Sequence, residues 1–200
     1  TNLESMRATI ISFDGRGYSI KNLSAIDGEA SYQGLFVSCP PKIANLHFFQ
    51  PHIRGNYRVG VLCGEGGNNV IENVTVQGGS IRGSREVGGI VGSTFNSYLK
   101  NVRVLDVDVQ YEAGAYAIGG IVGAGIPTQI ENALSTANII AIDAVGNTIG
   151  GIVGNLSSNN YSNPYPTATS LDFLDLKKVK EELGGSEYLK VIHQKVAGLP

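Results

Sequence analysis

Apolar residues along this chain occur in short β-branched runs, bounded by Gly, Asn and Ser rather than spread over helical stripes. In one such run Ile71, Val74 and Val76 share a face, while Glu72 and Thr75 point the other way. The runs recur. The phrase Val87-Gly-Gly-Ile-Val-Gly92 returns as Ile118-Gly-Gly-Ile-Val-Gly123 and Ile149-Gly-Gly-Ile-Val-Gly154, 31 residues apart each time. A degenerate copy, Val59-Gly-Val-Leu-Cys-Gly64, lies 28 residues upstream, and Gly34-Leu35-Phe36 is a weaker one. A second phrase, Ile-x-Asn followed by an apolar residue, interleaves with the first at Ile20, Ile43, Ile71, Leu99 and Ile130.

Two phrases that keep one period identify a repeat architecture. Each repeat holds two or three short strands, and strands of like phase stack in parallel about 4.8 Å apart. The pattern therefore predicts an all-β fold, a right-handed parallel β-helix of about five rungs. The outward slot after the apolar residue reads Ser24, His47, Thr75 and Arg103, all polar, and the last rung breaks this with Leu134.

The asparagines of the second phrase are Asn22, Asn45, Asn73, Asn101 and Asn132. Asn and the apolar residue after it cannot both face inward on a flat strand, so Asn marks a bend, where it tolerates left-handed backbone angles. Stacked, the five would pass amide hydrogen bonds from rung to rung. The glycosylation sequons at Asn22 and Asn73 fall on this ladder, where modification conflicts with burial. The paired glycines are not a phosphate loop, because no Gly-Lys-Ser/Thr follows them. Gly123-Ala-Gly125 runs into Ile126-Pro127 rather than a helix start, so it is no dinucleotide fingerprint. Tight bends and close approach of backbones explain the glycines better.

The pattern divides the chain into a β-helix over 1–155, a loop over 156–169 and a capping segment over 170–200. Prolines at 164 and 166 mark the loop. Thr169-Ser-Leu-Asp172 resembles a capping box, and Phe173, Leu176, Val179 and Leu183 make one apolar stripe. A short amphipathic helix covering the open end of the solenoid is expected there.

Composition narrows the function. The 200 residues carry a formal net charge of −2, which argues against nucleic acid. No apolar run approaches a membrane span, so no membrane insertion is expected. No signal peptide is present and Thr1 is not an initiator, so the chain reads as an excised or mature segment with flanking domains on the same polypeptide. Cys39 and Cys63 fall at different phases of the repeat, so they are expected not to face each other and read as two small buried thiols.

The two phrases, with the opening Phe13-Asp-Gly-Arg-Gly-Tyr-Ser-Ile20-Lys-Asn22-Leu23, resemble the GLUG repeat of bacterial surface proteins. The resemblance covers roughly Ile11 to Asn155. Similar repeats occur in the non-catalytic region of immunoglobulin A1-specific metallopeptidases and in large adhesins. The resemblance implies a secreted or cell-surface location and a structural or adhesive role, with contacts to host protein or glycan. Peptidase chemistry of that family needs His-Glu-x-x-His, which is lacking here, where the histidines are His47, His52 and His193.

Parallel β-helices also carry polysaccharide lyases and hydrolases, so a carbohydrate-active enzyme is the second reading. Such chemistry needs two carboxylates at a defined separation. Asp106 and Asp108 share an outward face, but their counterparts one rung earlier are Gly78 and Ser80. Glu72 and Glu131 share a phase with Lys100 between them, as in a surface ion-pair pattern. Asp106, Asp108, Tyr111, Glu112 and Tyr116 form a candidate patch for carbohydrate or calcium, although the lack of Trp weakens a sugar-stacking platform. No catalytic residue, resident cofactor or metal is expected. An ice-binding surface is not supported, since no outward Thr ladder appears.

Overall fold

In a computed structural model of the chain, the described residues are 10–112, 117–140 and 148–156. They form a parallel β-solenoid of about five turns, with no helix among them. The loop and capping segment expected after residue 156 lie outside the described residues.

Three sheets run along the solenoid. The wide sheet stacks β1 (Ser12–Asp14), β5 (Lys42–Phe49), β8 (Val70–Gln77), β11 (Val91–Leu105), β14 (Val122–Ser135) and β17 (Val153–Leu156). Beside this path β2 (Ser19–Lys21) pairs β5, and β4 (Phe36–Ser38) pairs β7 (Cys63–Gly67), which pairs β11. The second sheet stacks β3 (Ser24–Ile26), β6 (His52–Arg54), β9 (Ser80–Gly83), β12 (Asp108–Tyr111) and β15 (Asn138–Ile140). The third holds β10 (Glu86–Gly88), β13 (Ala117–Gly119) and β16 (Thr148–Gly150). Every pairing of these strands is parallel.

The register follows the repeat. Phe36 sits on Cys63, Cys63 on Val91, Val91 on Val122 and Val122 on Val153. Ile43, Ile71, Leu99 and Ile130 make a second column, and Ile53, Ile81, Val109 and Ile139 a third. Except at the last turn these side chains are essentially fully buried. Each is worth about 1.5–3 kcal/mol of burial, so the columns are the main cohesive term.

One rung of the sequence alignment is shifted. Phe13, not Ile20, lies under Ile43, and Ile20 lies under Phe48. The partner is 30 residues on at Ser12 and 28 residues on at Ser19, so the Gly15–Tyr18 turn absorbs two extra residues. The Asn22-to-Asn45 spacing of 23 is too short for a turn, which is why Asn22 misses the column. The outward slot below His47 is likewise filled by Ser19, and Ser24 lies under His52.

The phrase glycines are explained by space and not by backbone angle. Among the described residues only Gly17, Gly78 and Gly79 are glycines with positive φ. A Cβ on Gly119 would fall on the Val122 carbonyl oxygen, and on the Gly154 nitrogen at 2.7 Å. The corner is pinched so tightly that any side chain there forces the backbones apart.

The cysteines correct the expectation from phase. Cys39 and Cys63 form a disulfide, with Cα atoms 5.4 Å apart. The chain turns inward after β4, which brings Cys39 back over the first residue of β7. The closed loop spans a sequence separation of 24 residues, for which chain entropy gives about 3.5 kcal/mol of stabilisation. Thiol titration of the native protein is expected to find no free thiol until reductant is added. Reduction, or the Cys39→Ser/Cys63→Ser double variant, is expected to lower unfolding free energy by about 2–4 kcal/mol in denaturant melts. An unchanged midpoint would show that the bridge contributes nothing.

Candidate functional site

Three outer features carry the polar chemistry of the solenoid. The first is the bend between the two halves of β5, β8, β11 and β14. Asn45, Asn73, Asn101 and Asn132 all take φ between 52° and 56° there. Their amides form a continuous chain: Asn132 donates to Asn101 (3.1 Å), Asn101 to Asn73 (3.0 Å) and Asn73 to Asn45 (2.9 Å). Asn45 in turn donates to the Asp14 carboxylate at 3.0 Å. Every amide points its N–H end the same way, so the side-chain dipoles add, and an anion closes the positive end. The Arg16 backbone N–H, which donates to Asp14 at 2.8 Å, and then Asn45 hold the Asp14 carboxyl below its ordinary value of 3.8.

Asn22 shares the conformation but not the ladder. It heads another column with Gln50, Gly78 and Asp106, all at positive φ and linked by backbone bonds to the preceding residue one turn on. A third column, missed by the sequence reading, holds Asn68 and Asn96, joined by an amide bond of 2.6 Å. Its signal was the same residue type spaced 28 apart, but outside the Ile-x-Asn phrase.

The second feature is the outer face of the second sheet, which contains most of the candidate patch. One row reads Ser24, His52, Ser80, Asp108 and Asn138, and the next Ile26, Arg54, Arg82, Gln110 and Ile140. Asp108 accepts from the Asn138 amide at 3.0 Å, and His52 Nδ1 lies 3.1 Å from the Ser80 hydroxyl. Asp106 sits at the bend before β12, where its backbone N–H donates to Thr136 Oγ1 (3.0 Å) and its carboxylate accepts from that hydroxyl (3.3 Å). Tyr111 packs half-buried against the core. Glu112 meets Arg54 two turns earlier in a bidentate pair, at 3.0 and 3.1 Å. Tyr116 lies outside the described residues. The three carboxylates Asp106, Asp108 and Glu112 thus each have a separate partner.

The third feature is a corner leading to the third sheet, which the sequence reading did not identify. Arg58, at φ 55°, bonds Glu86 through Nε at 2.7 Å and Glu65 through Nη1. Burial pulls its guanidinium down, and the charge and hydrogen bond of Glu86 outweigh that, so the net shift is upward. Its guanidinium carbon lies 4.8 Å from the centre of the Tyr57 ring and 5.6 Å from that of Tyr32. The two rings meet edge to face at 5.8 Å, and Arg85 lies 5.3 Å from the Tyr57 ring. The available signal was Arg58 and Glu86, opposite charges 28 residues apart, each just before a glycine-rich phrase.

On the wide sheet, Lys100 and Glu131 form the ion pair that their phase predicts, at 2.9 Å. The Tyr98 hydroxyl also donates to Glu131. Tyr98 and then Lys100 lower the Glu131 carboxyl, and Glu131 raises both partners. Among the described residues no group of His, Cys, Asp and Glu is arranged to hold a metal ion, and no helix is long and apolar enough to cross a membrane.

Comparison with protein-family models, curated proteins and solved structures yields no match. The likeness to the GLUG repeat therefore rests on the quoted phrases alone.

The ladder makes two predictions. Asn101→Gly keeps the left-handed bend but cuts two amide bonds, and is expected to cost about 1–2 kcal/mol in denaturant unfolding. Asn101→Ala also strains the bend and should cost more. Equal losses would mean that the ladder matters and the bend conformation does not, and no loss in Asn101→Gly would mean that the ladder contributes nothing. Asp14 has a lowered folded-state pKa, so its contribution is complete above the ordinary value of 3.8 and is lost as pH falls through the lowered one. Asp14→Asn is expected to flatten the acid limb of stability against pH in that window.

Proposed function

We propose that this chain is a non-catalytic module of GLUG-repeat type, part of a larger secreted or surface-exposed bacterial protein. Its task is to hold an outer surface for contact with host protein or glycan. The observation that carries this reading is that recurrent outward polar groups are spent on one another. The asparagines bond along the stack, and the carboxylates of the second sheet are already engaged by Arg54, Asn138 and Thr136. The disulfide supports an oxidising compartment, in keeping with secretion. A secreted metallopeptidase is one kind of parent in which such a module would serve as an accessory domain.

One observation favours the second reading, a polysaccharide-cleaving enzyme. Arg54, Arg82, Asp108 and Glu112 bring both signs of charge to one face across three turns. General acid–base cleavage of a glycosidic bond needs carboxylates flanking that bond, however, and these are committed elsewhere. Incubation with a panel of neutral and acidic polysaccharides is expected to release no reducing or unsaturated ends. Immobilised glycans and matrix proteins are expected to retain the chain saturably. Turnover that disappears in Asp108→Asn or Glu112→Gln would replace the module with the enzyme.

A further inference from the structure

Four of the chain's seven arginines, Arg54, Arg58, Arg82 and Arg85, fall within two consecutive turns around one corner. Among the described residues three glutamates pair with them: Glu112 with Arg54, and Glu65 and Glu86 with Arg58. Arg82 and Arg85 are exposed, and neither has a carboxylate partner among the described residues. Arg82 is moreover stacked directly on Arg54, a placement that like charges oppose.

Arg85 is also positioned by its surroundings. Arg58, held by the carboxylates of Glu65 and Glu86, packs on the Tyr57 ring, and Tyr57 carries Arg85. A guanidinium held over a ring face keeps its N–H fork free for a carboxylate and loses less entropy on binding one than a free side chain does. Beside them, the bidentate pair draws the Arg54 side chain toward Glu112 and leaves Arg82 as the open donor of its row.

We propose that Arg82 and Arg85 form a binding site for the carboxylates of a linear acidic polysaccharide, a polyuronate. This rests on the module reading and names its ligand. A peptide fits less well. β9, which carries Arg82, is paired on both sides by β6 and β12, so it offers no strand edge for a peptide to extend. The neighbours Ser80 and Gln110 are polar, suited to sugar hydroxyls and forming no apolar pocket for peptide side chains.

The test titrates the full chain with polygalacturonate, with neutral dextran and with poly-glutamate by calorimetry. Wild type, Arg82→Ala, Arg85→Ala, the double variant and Arg103→Ala are compared, each with a thermal melt to establish folding. Arg103 is an exposed guanidinium on the wide sheet, outside the proposed site. Polygalacturonate is expected to bind saturably and more weakly as salt rises, and dextran not at all. The double variant is expected to lose at least about tenfold in affinity, and Arg103→Ala less than about twofold. No binding of polygalacturonate, or binding untouched in the folded double variant, would overturn the site. Poly-glutamate binding as tightly, and through the same two residues, would overturn the polysaccharide in favour of an acidic peptide. No binding of polygalacturonate together with saturable retention of another glycan or protein would leave the module reading standing while this site falls. Cleavage of bound polygalacturonate does the reverse.

Discussion

Parallel stacking places each residue about 4.8 Å from its counterpart on the next turn, and the rest of this structure follows from that constraint. A side chain must be compatible with its own copies above and below. Aliphatic residues meet the requirement by excluding water together, so inward columns such as Ile43, Ile71 and Leu99 are fully buried. Glycine meets it where two backbones approach too closely for any Cβ, as at Gly119 against Val122 and Gly154. Asparagine meets it in a third way. Its amide is donor at one end and acceptor at the other, so a column of asparagines satisfies itself without limit.

A self-satisfying column still has two ends, and they differ. Every amide from Asn132 to Asn45 donates toward the N-terminal turn, so an unpaired N–H is left at the first turn. Asp14 occupies that place and is itself held by the Arg16 backbone N–H. The arrangement does along a solenoid axis what an acidic cap does at a helix N-terminus, although the dipoles here belong to side chains. Of the twelve non-glycine residues with positive φ among the described residues, seven are asparagine. The bends are therefore set by asparagine's tolerance of that conformation as well as by its bonding.

The same constraint determines what could be read from sequence. Columns that repeat a residue are visible as phrases, and from them the parallel solenoid, the core and four members of the ladder were legible. Asn22 was misplaced because the phrase recurs there without the period, the Gly15–Tyr18 turn having absorbed two residues. The disulfide was missed because phase counts residues along an extended path, and the chain bends back after β4. Bidentate pairing of Arg54 with Glu112 skips a whole turn, a reach that no comparison of adjacent repeats would reveal. The Arg58 corner has no repetition at all, since its column reads Tyr32, Arg58, Glu86 and Ala117.

Charged residues are the one class that cannot stack on their own copies. The wide sheet obeys this by alternation, with Glu72, Lys100 and Glu131 in successive turns. The corner obeys it with Arg58 below Glu86, two charges that desolvate each other only because they pair. Arg82 above Arg54 is the departure, and Glu112 relieves it for Arg54 alone. In a fold whose repeated residues are accounted for by self-compatibility, a side chain that violates it has no reason within the stack. Among the described residues no carboxylate answers Arg82, and that excess of positive charge on one row is what the proposed polyanion site rests on.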